Sequence, residues 1–130
     1  MPSTLRPPDQ PRTDLLLSLP ALRAKLEEHR QFRTEQIAAL TAGGEPTAVP
    51  AKRTAGDAYD QVSAALLTGA RQALADIDTA LYRMLVGAYG VCQSCEAPIP
   101  LQRLHAIPQA VLCADCHRAG TASAGTIARD

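Results

Sequence analysis

The chain has 130 residues, with 13 basic and 13 acidic side chains and a formal net charge of zero. That is one small domain's worth of polypeptide, without the basic face that neutralises duplex phosphates. Aromatic residues make up only 3% of it, with one Phe, three Tyr and no Trp, which argues against a deep core and for thin layers of helices packed through Ala and Leu.

Charge is spread evenly along the sequence. Residues 1–56 carry eight Lys/Arg against six Asp/Glu, residues 57–91 two against four, and residues 92–130 three against three. Direct sequence-specific DNA binding is therefore not expected. The opening MPSTLRPPDQPR lacks the apolar run of a signal peptide, and no stretch approaches the roughly 20 apolar residues of a membrane span. The expected location is the cytoplasm, where clustered cysteines bind metal more readily than they form disulfides.

Residues 1–12 hold Pro2, Pro7, Pro8 and Pro11 without periodicity and read as a disordered tail. A helical hairpin is expected over 13–89. Its first helix should begin near Pro20, since proline suits a helix's first turn, with Thr13–Ser18 as a preceding turn of helix. Leu19, Leu22, Leu26, Phe32, Ile37 and Leu40 give it an apolar stripe, interrupted at His29 and Arg33, and Gly43-Gly44 ends it. Residues 43–56, with two prolines and three glycines, form a long tip loop.

The second helix is predicted from about Asp57 to Ala88. Leu67, Leu74, Leu81 and Ala88 recur every seven residues, with Ala70, Ile77, Met84 and Val91 as companions, the spacing of a coiled-coil seam. Such a helix would be about 50 Å long and needs the first helix as an antiparallel partner. The seam reads as hydrophobic core. Residues 90–118 then form a small module, and 119–130, small and polar, a flexible C-terminal tail.

That module holds Cys92-Gln93-Ser94-Cys95 and Cys113-Ala114-Asp115-Cys116, two C-x-x-C turns separated by seventeen residues. Two such turns can bring four thiolates together in the tetrahedral arrangement zinc accepts. The predicted cofactor is one structural Zn2+ on Cys92, Cys95, Cys113 and Cys116, with no position left for a catalytic water. A redox dithiol, or His105 or His117 replacing one cysteine, are the lesser alternatives.

The surrounding residues carry a more specific pattern. Tyr89-Gly90-Val91-Cys92-Gln93-Ser94-Cys95, then Ile99, Arg103-Leu104, Ala106, Pro108, Ala110 and Cys113-Ala114-Asp115-Cys116 resemble the zinc signature of the DksA/TraR family. The resemblance implies a mostly α fold, a long antiparallel helical hairpin followed by a four-cysteine zinc module. It implies a transcription regulator that enters the secondary channel of RNA polymerase with its hairpin tip and modulates initiation. The family's acidic tip motif, D-x-x-D-x-A, is matched by Asp57-Ala58-Tyr59-Asp60-Gln61-Val62, with Val62 in place of Ala. Asp57 and Asp60 are thus candidate partner-binding residues, although acids at a helix start also serve as caps. Arg103, fixed within the signature, either braces against an acidic polymerase surface or caps local carbonyls. Lys52 and Arg53 sit in the tip loop. Family members that respond to guanosine tetraphosphate carry basic residues near the zinc module; here Ile107 and His117 stand at such places, so alarmone dependence is not implied.

The function expected is therefore a monomeric, non-enzymatic transcription regulator with RNA polymerase as partner and no membrane association. The alternative is a zinc-stabilised interaction module with a different protein partner. No Ser/His/Asp set or open metal position suggests an enzyme.

Overall fold

The computed structural model describes the backbone of residues 10–46 and 55–125 and the side chains of residues 12–46 and 59–120. Four helices follow in order: α1 (Gln10–Leu40), α2 (Ala55–Val86), α3 (Leu101–Ala106) and α4 (Ala114–Gly125). The two long helices pack together. Among the described residues there is no strand, and Val91 and Pro98 form an isolated antiparallel bridge. The mostly helical class is the one predicted.

α1 begins at Gln10, so Pro20 lies inside the helix instead of in its first turn. An interior proline forfeits one backbone hydrogen bond and crowds the carbonyl four residues back. Here Leu15 lies against Gly90 and Leu22 and Leu26 are buried on the same helix, and tertiary packing of this kind, more than local propensity, sustains a helix. The predicted tail thus yields residues 10–12 to α1, and the C-terminal tail yields 119–125 to α4. Residues 1–9, 47–54 and 126–130, with Lys52 and Arg53, lie outside the described residues.

The stripe of α1 also differs from its prediction at one point. Phe32 is 60% exposed, while His29 and Arg33, read as interruptions, are half-buried in line with Leu26, Ile37 and Leu40. At 100° per residue, steps of three and four keep positions 26, 29, 33, 37 and 40 on one face and turn position 32 away. Arg33 tolerates this because its stem can follow apolar surface while its head stays polar. Its guanidinium donates to Gln36 Oε1 at 2.9 Å and lies 5.5 Å from the Phe32 ring centroid.

α2 buries Ser63, Leu67, Ala70, Ile77 and Ala80, with Leu74, Leu81 and Met84 half-buried. The burial of Ala80 beside the expected Leu81 is the drift of a 3.6-residue helix against a seven-residue repeat. Ala88 and Val91, predicted as the last seam positions, fall beyond the helix, and Val91 is 39% exposed. Gly87 ends α2 at φ +80, with Ala88 N–H donating to Arg83 O and Gly87 N–H to Met84 O. Those paired bonds are a Schellman motif, which satisfies the last carbonyls and turns the chain out of the helix.

The chain divides into two compact units. Residues 27–79 form one, where Arg30 pairs with Asp78 at 2.6 Å and Arg71 pairs with Glu45. Early residues of one segment pair with late residues of the other, so the segments are antiparallel. Both pairs lie in solvent, and the buried seam does more for cohesion than they do. Residues 1–26 and 80–130 form the second unit, whose core contains Leu22, Leu26, Ala80, Tyr89, Ile99 and Leu104.

Candidate metal centre

Two loops deliver the cysteines. After the turn at Gly87, the chain folds back through the Val91–Pro98 bridge, with Cys92 N–H on Ala97 O at 2.8 Å and Glu96 N–H on Cys92 O at 2.9 Å. This tight turn presents Cys92 and Cys95. The second pair flanks the start of α4, with Cys113 just before it and Cys116 in its first turn. Gln93 N–H donates to Val111 O at 2.7 Å, binding one cysteine loop to the approach of the other.

The two turns repeat one local geometry. Cys95 N–H points at Cys92 Sγ and Cys116 N–H at Cys113 Sγ, both at 3.5 Å. A backbone donor aimed at sulfur favours the thiolate, the form that binds metal. The N–H groups of Cys95 and then Cys113 bring the Cys92 thiol down to about 6. For Cys95, the Ala97 N–H favours the thiolate, but the Cys92 sulfur and burial oppose it, and the net direction is upward. Cys116, facing the sulfurs of Cys113, Cys92 and Cys95, is pushed up to about 12. Negative charge on one sulfur opposes charge on the next, and a divalent cation at their centre removes that opposition.

All four Sγ atoms lie within 4.8 Å of one another. Zinc–thiolate bonds of about 2.3 Å give a tetrahedral sulfur cage with edges of about 3.8 Å, and Cys95 Sγ lies 3.8 Å from Cys113 Sγ. The residues fit one zinc ion. Cys92 is buried, Cys113 and Cys116 are half-buried and Cys95 is exposed, so the cluster sits at the surface of its unit. His105 and His117 are exposed and stand outside the cluster.

Several residues that the sequence reading left without a role build the frame. The buried Tyr89 hydroxyl donates to Pro108 O at 2.7 Å, and burial pushes it up to about 12. Gly90 has φ +86, and a Cβ there would lie 2.6 Å from Leu15 Cδ2. Both residues belong to the signature, but single-residue spacing does not reveal a hydroxyl's partner. Arg83 donates to Ala88 O and Val91 O, closing the end of α2 over the loop that leads to Cys92.

The remaining predicted site residues are placed elsewhere. Arg103 Nε donates to Leu112 O at 3.0 Å, next to Cys113, a local carbonyl contact of the kind that was one of its two alternatives. α2 begins at Ala55, so Asp57 and Asp60 fall at its third and sixth positions, inside the helix and not at its N-cap. Asp60 is half-buried and Tyr59 and Val62 beside it are exposed, while the Asp57 side chain lies outside the described ones.

Residues 87–119 match the prokaryotic dksA/traR C4-type zinc finger. The chain is also similar to an uncharacterized protein of Aquifex aeolicus (strain VF5), 42% identical over 53 residues. That alignment covers 41% of this chain and 37% of the relative. No solved structure matches the chain. Among the described residues no helix is long and apolar enough to cross a membrane. The cysteine module, residues 87–119, is thus similar to a zinc finger of the DksA/TraR C4 type, with four cysteines placed to hold one zinc ion.

Proposed function

We propose that the protein is a non-enzymatic transcription regulator that binds RNA polymerase through the secondary channel and modulates initiation. The observation that carries this reading is a zinc finger of the DksA/TraR C4 type directly following two long packed helices. Asp57 and Asp60 at the start of α2 supply the partner contact, together with the 43–56 connection. Arg103 serves the same complex by holding the Leu112 carbonyl and thereby the second cysteine loop, next to the polymerase surface. The zinc ion is structural, held by Cys92, Cys95, Cys113 and Cys116, and it takes no part in chemistry. Cytoplasmic location and a monomeric state complete the proposal.

The test is multi-round transcription with purified polymerase on a panel of promoters that differ in open-complex lifetime. The zinc-loaded protein should change initiation at the short-lived class, and Asp57→Asn/Asp60→Asn should lose that effect while keeping its helix content. Unchanged transcription at every promoter, with zinc bound, would favour an interaction module for a different protein.

A further inference from the structure

The unit that holds the cysteines also contains a cleft of about 510 Å³ that the zinc site does not use. Its floor is Tyr89, Ile99 and Leu104, all buried, and its walls include Leu15, Leu19 and Met84. Pockets of roughly 300–1,000 Å³ with apolar walls and a few placed polar groups are those that take small molecules. The volume suits an apolar body the size of one or two amino-acid side chains. Water gains little there, since apolar walls offer few hydrogen-bond partners.

The charged groups decide the ligand class. Arg12 and Asp14, both in the first turns of α1, line the same cleft. Asp14 is half-buried and already has an interaction within the protein, but a carboxylate has lone pairs for more than one donor. A lone carboxylate entering the cleft would meet Asp14, and a lone ammonium would meet Arg12. A ligand carrying both groups complements both, its carboxylate on the guanidinium and its ammonium on the carboxylate. We propose that this cleft binds a small zwitterion with an apolar body, of the apolar α-amino-acid class.

Its position gives binding a structural consequence. The walls come from α1 and from the end of α2, while the floor belongs to the segment framing Cys92, so a ligand would tie the first turns of α1 to the zinc loop. The reading is independent of the polymerase proposal, because it concerns only this unit.

The experiment is calorimetric titration of the zinc-loaded full chain with L-phenylalanine and L-leucine. 3-Phenylpropanoate and 2-phenylethylamine serve as the single-charge controls. Saturable binding is expected for at least one amino acid, with each control about tenfold weaker or more. Arg12→Gln, at an exposed position, should weaken amino-acid binding by a similar factor at unchanged zinc content. Leu16→Trp, a half-exposed lining residue (54%), should obstruct the cleft without touching the buried floor. Absence of saturable binding by either amino acid at millimolar concentration would overturn the proposal. So would equal binding of the single-charge controls, or full affinity in both variants.

Discussion

Gly90 and Tyr89 show how single residues set the zinc loop. At φ +86, with Leu15 where a Cβ would stand, Gly90 accepts no side chain without strain and displacement. Gly90→Ala should destabilise the zinc-loaded protein by about 1–3 kcal/mol, measured by urea unfolding. Tyr89→Phe would leave the Pro108 carbonyl without its donor, costing about 1–3 kcal/mol. Tyr89 also makes a signed pH prediction. Its folded value is raised to about 12, above the unfolded value of about 10. The unfolded state therefore releases this proton first, and the stability linked to it is complete below about pH 10 and lost as pH rises towards 12. Wild type should lose more stability over that window than Tyr89→Phe. At this scale the cysteines were legible, because two C-x-x-C turns announce their ligands by spacing alone. The Leu15–Gly90 contact joins residues 75 apart in sequence, and nothing local encodes it.

The helices separate what pattern reveals from what it hides. α2 followed its seam because Leu67, Ala70 and Ile77 repeat on one face with the spacing a partner helix demands. It ends at Val86, short of the last seam positions, because a Schellman stop needs a left-handed residue and Gly87 supplies it. Gly87→Ala should cost about 1–2 kcal/mol, read in the same unfolding assay. α1 was harder, since Pro20 mimics a helix start and Arg33 mimics a solvent position. Two substitutions check the corrected face. Leu26→Ala, at a fully buried position, should cost about 2–5 kcal/mol. Phe32→Ala, at an exposed one, should stay within about 0.5 kcal/mol. Similar losses at both would contradict the assignment of faces.

At the scale of the whole molecule, a chain with so few aromatics depends on helix packing and on metal. Structural zinc of this kind contributes roughly 10–16 kcal/mol of apparent binding free energy. Chelation, or Cys92→Ser at the buried ligand, should therefore abolish protection of backbone amides in residues 87–119, measured by hydrogen exchange. Zinc affinity should fall with pH, because protons compete for the same four sulfurs. The cysteine module and the mostly helical class could be read from sequence because each rests on short-range spacing. The division into residues 27–79 and a unit joining the first half of α1 to the cysteine module could not, since it depends on which distant segments share a core. The proposed function rests on one central claim, that this chain binds RNA polymerase in the secondary channel. The direct measurement is the affinity of the zinc-loaded full chain for polymerase core enzyme, in competition with a known secondary-channel protein. Micromolar or tighter binding, displaced by that competitor, is the result the account predicts. Binding that the competitor leaves untouched, or no binding with zinc in place, would contradict it.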